Sequence, residues 1–238
     1  NVNSKLLRNF PPEGDFVSNF IEEFPGTTLI LAGGQGSRMG GEKLTLAVDS
    51  EPLLLKVIRR VLPFSKDILL SVAPRQVSYV STVLSGIISL YGIRTVEDRL
   101  PVEKSPSEVD EKRSGPLAGI VAGLEACSSE WLFVCACDMP RVSEAVVRTL
   151  WKHGDKSASV IVPFLGGFYE PLHAFYRKTC LPAATALLDS GRRKTTAFYD
   201  AVRVSPVGDE YFSHLPGYRR SFENLNNKSD LEKMTGFL

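Results

Sequence analysis

The residues best suited to chemistry follow one short apolar run, Thr28–Ala32. Three glycines come soon after it, namely Gly33, Gly34 and Gly36. Because glycine has no side chain, the backbone there can approach a ligand closely, with N–H groups free to face anionic oxygens. Arg38 and Lys43 in the same stretch add positive charge where a triphosphate would lie. The segment therefore predicts a nucleotide-binding loop.

Two well-known phosphate loops do not fit this spacing. The dinucleotide fingerprint needs glycine at its sixth position, which Met39 occupies here. The P-loop needs lysine directly after its second glycine, whereas Glu42 separates Gly41 from Lys43. A glycine-rich turn without a ligand is the remaining alternative, but turn geometry alone does not explain two cations among so many glycines.

Two carboxylates come at the ends of other apolar runs. Asp138 follows Trp131–Ala136, and Pro140 prevents that strand from continuing. Because Mg²⁺ is usually held by one or two carboxylates together with substrate phosphates, Asp138 is the candidate metal ligand. Asp98 comes at the end of a further run, Ile93–Val96. Either acid could instead be an ordinary turn or loop residue.

Composition and charge exclude several classes of function. The 238-residue chain has a formal net charge of +1, so we expect neither a nucleic-acid partner nor binding to an anionic membrane. No stretch approaches the ~20 apolar residues of a membrane span. Residues 1–26 carry several charges and lack the apolar centre of a secretory signal. Cys135 and Cys137 are too close for a disulfide within one strand, and we expect reduced thiols in a cytoplasmic protein.

Strands and helices alternate along the chain. Five short, nearly continuous apolar runs are typical of strands buried on both faces, at Thr28–Ala32, Ile68–Ala73, Ile93–Val96, Trp131–Ala136 and Val160–Val162. Helical patterns cover Pro52–Leu62, Ser143–His153 and Leu181–Asp189. The alternation predicts an α/β protein with a doubly wound sheet, in which ligands bind beyond the carboxyl ends of the strands. The glycine loop and both acids fall at that edge.

The glycine loop, the strand-end acid and one further segment together resemble a known family. The motifs are Leu-Ala-Gly-Gly, Arg-Met-Gly-Gly and Glu-Lys within residues 31–43, Cys-Asp-x-Pro from Cys137, and Gly-Pro-Leu-Ala-Gly from Gly115. They are similar to those of nucleotidyltransferases that make activated sugars and cofactors, and most similar to the molybdenum cofactor guanylyltransferase (MobA) family. The resemblance spans about residues 28–231. It implies a three-layer, doubly wound, mostly parallel sheet of the Rossmann-like nucleotidyltransferase fold, with an N-terminal extension at residues 1–26 and the nucleotidyltransferase domain at 27–238.

The resemblance also implies roles for individual residues. Arg38, Lys43 and Asp138 would be catalytic, and Asp138 would bind Mg²⁺. The implied nucleotide-binding residues are Leu31, Ala32, Gly33, Gly34, Lys43, Ser71, Asp98 and Asp138. Ser71 departs from the pattern, because the family often has asparagine there. The implied reaction transfers GMP from GTP to the terminal phosphate of molybdopterin or Mo-molybdopterin and releases pyrophosphate, with a molybdoenzyme or maturation protein as a further partner.

Alternatives to this reaction stay open. CTP could replace GTP, although cytidylyl relatives more often carry Leu-Ala-Ala-Gly than Leu-Ala-Gly-Gly. The acceptor could be a sugar phosphate, but the brevity of the chain and the Gly-Pro-Leu-Ala-Gly segment argue against it. A non-catalytic, nucleotide-binding maturation partner is the third alternative, which intact Arg38, Lys43 and Asp138 oppose. His173 could touch the acceptor, although the favoured interpretation is a core histidine with satisfied hydrogen bonds.

Overall fold

An eight-stranded mixed sheet forms the centre of the protein. The computed structural model describes residues 24, 26–32, 44, 47–48, 51–101, 115–192 and 194–225. The strands are β1 (Thr27–Leu31), β2 (Ala47–Val48), β3 (Glu51–Pro52), β4 (Asp67–Val72), β5 (Arg94–Glu97), β6 (Trp131–Ala136), β7 (Val160–Leu165), β8 (Phe168–Tyr169), β9 (His173–Arg177) and β10 (Val204–Gly208). The α-helices are α1 (Leu53–Val61), α2 (Val77–Val83), α3 (Ser85–Leu90), α4 (Gly115–Ala126), α5 (Glu144–His153) and α6 (Leu181–Asp189).

The order of the strands confirms the predicted topology and adds one feature. The sheet runs β10-β7-β9-β6-β1-β4-β5, with β8 paired to β7. Strand β1 pairs in parallel with both β4 and β6, and β4 pairs in parallel with β5. Strand β9 inserts antiparallel between β6 and β7, so β6 and β7 point the same way. The mostly parallel, doubly wound α/β sheet is therefore confirmed, and the antiparallel insertion is a finding of the structure.

Apolar residues cover both faces of the sheet, which makes three layers. Every residue of β1 and of β6 is buried, which explains why their sequences are continuous rather than alternating. The expectation that the run Ile93–Val96 is buried on both faces is wrong, because β5 is an edge strand and most of its residues are exposed. One hydrophobic cluster joins Ile30 and Phe133 of the sheet to α1 and α5. A second cluster on the opposite face joins Leu29 and Leu132 to α4 and α6. The three-layer arrangement is therefore confirmed.

Core packing includes one residue that precedes β1. Phe24 is completely buried, and its ring meets the rings of Trp151 and Phe175 with centroids 5.4 Å and 5.0 Å away. Such edge-to-face contacts add to the free energy of burial. The rest of the predicted extension, residues 1–23 and 25, lies outside the described residues.

The predicted helices have nearly the observed bounds. Helices α1, α5 and α6 lie where the sequence indicated them. Ser143 occupies the N-cap position of α5, as expected, but its side chain makes no capping hydrogen bond. Its backbone N–H instead donates to the Ser221 hydroxyl at 2.9 Å. Among the described helices, none has the length and apolar character needed to span a bilayer.

Candidate active site

The carboxyl ends of four neighbouring strands are held in register at one edge of the sheet. The Ala32 N–H donates to the Ser71 carbonyl at 2.9 Å, and the Cys137 N–H donates to the Leu31 carbonyl at 3.0 Å. On the far side of β4, the Asp98 N–H donates to the Val72 carbonyl at 2.9 Å. Ladder hydrogen bonds thus continue just beyond the ends of β1, β5 and β6.

This register brings together the predicted site residues that the structure describes. Leu31 and Ser71 lie opposite each other on the adjacent strands β1 and β4, and Asp98 directly follows the next strand, β5. On the other side of β1, Asp138 comes two residues after Ala136, which is opposite Leu31. The sequence predicted these residues separately, and parallel pairing places them at the edge where doubly wound sheets bind ligands.

Ser71 and Asp98 form a buried hydrogen-bonded pair. The Ser71 hydroxyl donates to one carboxylate oxygen of Asp98. Ser71 is completely buried, and Asp98 is 8% exposed. Burial raises the pKa of the Asp98 carboxyl above its ordinary value, while the hydrogen bond from Ser71 and the positive charge of Arg75 act in the opposite direction. The hydrogen bond from Ser71 therefore favours the charged form of Asp98, which burial disfavours.

Gln76 is a residue of this edge that the sequence analysis missed. It is the last residue of the short helical turn Pro74–Gln76, and its side chain is almost completely buried. The side-chain oxygen accepts from the Ala73 N–H at 2.9 Å, and the side-chain nitrogen donates to the Ala32 carbonyl at 3.4 Å. Gln76 thus ties the end of β1, where the glycine loop begins, to the end of β4. The sequence carries no clear signal for this role, because only the fold shows that a glutamine four residues after β4 is buried.

Asp138 lies in a tight turn that the C-terminal part of the chain braces. Its backbone carbonyl accepts from the Leu225 N–H at 2.9 Å, and the next residue, Met139, donates to the Ala136 carbonyl at 3.1 Å. An ion pair between Arg141 and Glu223, 2.8 Å apart, connects the same two segments. The aspartate itself is 3% exposed. These contacts hold the residue at the end of β6.

The donor chemistry at this edge suits a hard cation that is shared with a substrate. Asp138 supplies carboxylate oxygens, the ligands that Mg²⁺ prefers, and Mg²⁺ sites commonly complete their coordination with phosphates and water. In the described part of the chain, no group of three histidine, cysteine, aspartate or glutamate side chains is placed to hold a metal by itself. The magnesium role of Asp138 stays a prediction.

His173 is a core histidine, but the expectation that its hydrogen bonds are satisfied is wrong. Its ring lies between Phe133 and Phe222, with centroid distances of 5.2 Å and 4.7 Å. The ring is completely buried, and among the described residues neither of its nitrogens has a hydrogen-bond partner. Burial lowers the pKa of His173 to about 3, so the ring is neutral at physiological pH. Sequence cannot show that aromatic rings surround both edges of an imidazole.

Four of the predicted site residues lie outside the described residues. They are Gly33, Gly34, Arg38 and Lys43. Their binding and catalytic roles stay predictions, as does the position of the glycine loop at the same sheet edge as Asp138.

Comparison with known proteins identifies the family. Residues 28–204 match the MobA-like NTP transferase domain. That range is 177 of the 238 residues, well over half of the chain. The chain belongs to the MobA-like NTP transferase family.

Curated relatives extend the match over most of the chain. A protein of Vibrio vulnificus named molybdenum cofactor guanylyltransferase is 32% identical over 204 residues, which is 85% of this chain and 91% of that protein. A probable molybdenum cofactor guanylyltransferase of Pelotomaculum thermopropionicum is 33% identical over 207 residues, or 87% of this chain and 90% of the relative. The resemblance found in the sequence is therefore confirmed.

A solved structure supports the fold. The crystal structure of molybdopterin-guanine dinucleotide biosynthesis protein A from Archaeoglobus fulgidus superposes with a TM-score of 0.69. The match covers 87% of this chain and 96% of that chain at 24% sequence identity. This likeness confirms the nucleotidyltransferase fold predicted from the motifs.

Proposed function

We propose that the protein is a molybdenum cofactor guanylyltransferase that transfers GMP from GTP to the terminal phosphate of molybdopterin and releases pyrophosphate. The observation that carries the proposal is the alignment of Leu31, Ser71, Asp98 and Asp138 along one sheet edge, directly beside the start of the glycine loop. Membership of the MobA-like NTP transferase family and the names of the curated relatives support the same reaction.

The reaction is a direct displacement at the α-phosphorus of GTP. A terminal phosphate oxygen of the pterin attacks, and the bond between the α-phosphorus and the bridging oxygen to the β-phosphorus breaks, so pyrophosphate leaves with the electron pair. Such chemistry depends on positioning two anions and on neutralising the charge that develops between them. Arg38 and Lys43 would stabilise the leaving pyrophosphate, and main-chain N–H groups at Gly33 and Gly34 would hold the nucleotide.

Asp138 is the residue that would hold Mg²⁺. The cation would neutralise charge on the phosphate oxygens of the substrate when bound. The contacts around residues 136–139 and Leu225 keep the Asp138 backbone at the end of β6, so its carboxylate belongs to a firmly positioned turn. On the other side of β1, Asp98 would contact the nucleotide.

The choice of nucleotide rests on the loop sequence. Leu31-Ala32-Gly33-Gly34 matches the guanylyl type, whereas cytidylyl relatives more often have alanine at the third position. A GTP substrate, a cytoplasmic location and delivery of the product to a molybdoenzyme or its maturation protein belong to the same proposal.

Pyrophosphate release tests whether the protein is an enzyme of this class. The assay supplies Mg²⁺ and GTP with or without molybdopterin, and compares the wild type with Lys43→Ala. We expect release only when GTP and molybdopterin are both present, and much slower release from Lys43→Ala than from the wild type. A protein that binds GTP without releasing pyrophosphate under any of these conditions would be a binding partner instead. Release that needs a sugar phosphate would refute the pterin acceptor.

A further inference from the structure

A single helical glycine lies at the point where three predicted nucleotide-binding residues meet. Gly119 is in the second turn of α4, which packs against the ends of β1, β4 and β5. A Cβ atom added at Gly119 would lie 2.3 Å from the Ser71 hydroxyl oxygen, 2.6 Å from a methyl carbon of Leu31 and 3.1 Å from a carboxylate oxygen of Asp98. The first two distances are shorter than any contact a real Cβ atom makes.

Helix stability does not explain a glycine at this position. Alanine is a better helix former than glycine, so an interior helical glycine needs a reason in packing. Here that reason is the Ser71–Asp98 pair, whose hydrogen bond lies under the missing side chain. The backbone supports the same arrangement, because the Arg99 N–H donates to the Ala118 carbonyl at 3.3 Å and ties the residue after Asp98 to α4.

Ser71 acts on the site indirectly, through its hydrogen bond to Asp98. A hydroxyl has one proton, and Ser71 donates that proton to the carboxylate. Since Ser71 is completely buried while Asp98 keeps some exposure, the aspartate is the member of the pair that a ligand can reach. The hydrogen bond fixes one carboxylate oxygen and leaves the other to accept from a ligand.

We propose that Ser71 and Gly119 are positioning residues that together fix the orientation of the Asp98 carboxylate at the nucleotide-binding edge. Gly119 provides the space in which Ser71 can lie against Asp98, and Ser71 holds the carboxylate in one rotamer. The identity of the ligand that Asp98 contacts rests on the function proposed above, but the positioning of Asp98 by Ser71 and Gly119 does not.

Gly123 offers a matched control one turn further along α4. A Cβ atom there would lie 2.6 Å from Leu29 and 3.1 Å from Leu132, two apolar side chains of the hydrophobic cluster between the sheet and α4. Gly123→Ala therefore makes the same chemical change in the same helix, with a similar packing clash but no contact with Ser71 or Asp98. Ser71→Ala is the second test variant, because it removes the hydroxyl without adding volume.

The first experiment follows the Asp98 carboxyl carbon by NMR during a pH titration, without any substrate. We expect Ser71→Ala and Gly119→Ala both to raise the pKa of Asp98, because each removes the hydrogen bond that opposes the effect of burial. Gly123→Ala should leave the titration as it is in the wild type. The proposal is wrong if Ser71→Ala leaves the titration unchanged, or if the two glycine variants shift it equally.

The second experiment measures steady-state kinetics with GTP. Ser71→Ala and Gly119→Ala should each raise KM about tenfold, the factor expected from misplacing one charge-assisted hydrogen bond, with a smaller change in kcat. The double variant should lose less than the two single variants combined, because both changes act mainly on the hydrogen bond between Ser71 and Asp98 and only the clash with Leu31 is separate. Additive effects would contradict the proposal. If no variant and no wild type turns over GTP, the proposed function fails while the NMR titration still decides the positioning.

Discussion

Acid should destabilise this protein through His173, whose buried ring cannot take up a proton in the folded state. The ring is enclosed by Phe133 and Phe222, and within the described part of the chain neither nitrogen has a hydrogen-bond partner. Burial therefore lowers the pKa of His173 from 6.5 to about 3. Unfolding exposes the ring to water and returns it to its ordinary pKa.

The sign and size of the effect follow from proton linkage. Between pH 6.5 and about 3 the unfolded chain binds a proton at residue 173 that the folded chain does not. The stability that depends on the neutral His173 ring is therefore fully present above pH 6.5 and decreases as the pH falls below that value. Each pH unit costs about 1.4 kcal/mol, so at about pH 5 the contribution to the free energy of unfolding has decreased by about 2 kcal/mol.

Urea unfolding at about pH 7.5 and about pH 5 measures this loss. His173→Leu keeps a side chain of similar size. It should reduce the difference in the free energy of unfolding between the two pH values by about 2 kcal/mol. The effect of Asp98, whose raised pKa has the opposite sign, cancels in that comparison. His214→Leu is the control, because the exposed ring of His214 is hydrated in both states. An unchanged pH dependence in His173→Leu would refute the burial of a neutral imidazole.

Three further predictions concern the core and the proposed reaction. Phe24→Ala should lower the free energy of unfolding by about 3–5 kcal/mol, as for other buried aromatic residues, and a change below about 1 kcal/mol by urea unfolding would mean that Phe24 is not in the core. Lys43→Ala should cost about 2–4 kcal/mol of transition-state stabilisation in kcat/KM for GTP, and turnover at the wild-type rate would remove Lys43 from the mechanism. Asp138→Asn should lower kcat on the order of a hundredfold and weaken the dependence on Mg²⁺ concentration, whereas an unchanged magnesium titration would refute the ligand role.

Sequence alone predicted the sheet because its strands have a strong, local signal. Trp131–Ala136 is apolar at every position, and the structure buries all of them in β6. The rule that ligands bind at the carboxyl ends of such strands then placed Asp98 and Asp138 at one edge. The antiparallel direction of β9 was not predicted, because strand direction depends on pairing with β6 and β7 rather than on local composition.

The sequence did not predict which side chains form hydrogen bonds with each other. The hydrogen bond between Ser71 and Asp98 joins residues 27 positions apart, and the contact between Gln76 and Ala32 joins residues 44 apart. Both depend on how neighbouring strands align, which no short motif encodes. Gly119 ends the Gly-Pro-Leu-Ala-Gly motif, but only the fold shows that the space beside it is filled by Ser71 and Asp98.

The most direct test of the account is the mass of the product formed from a mixture of nucleotides. The protein is incubated with Mg²⁺, molybdopterin and equal concentrations of GTP and CTP, and the pterin product is identified by mass spectrometry. We expect the pterin to gain one GMP unit in a reaction that Lys43→Ala slows strongly. A pterin that gains CMP would contradict the guanylyl assignment, and an unmodified pterin would contradict the proposed function as a whole.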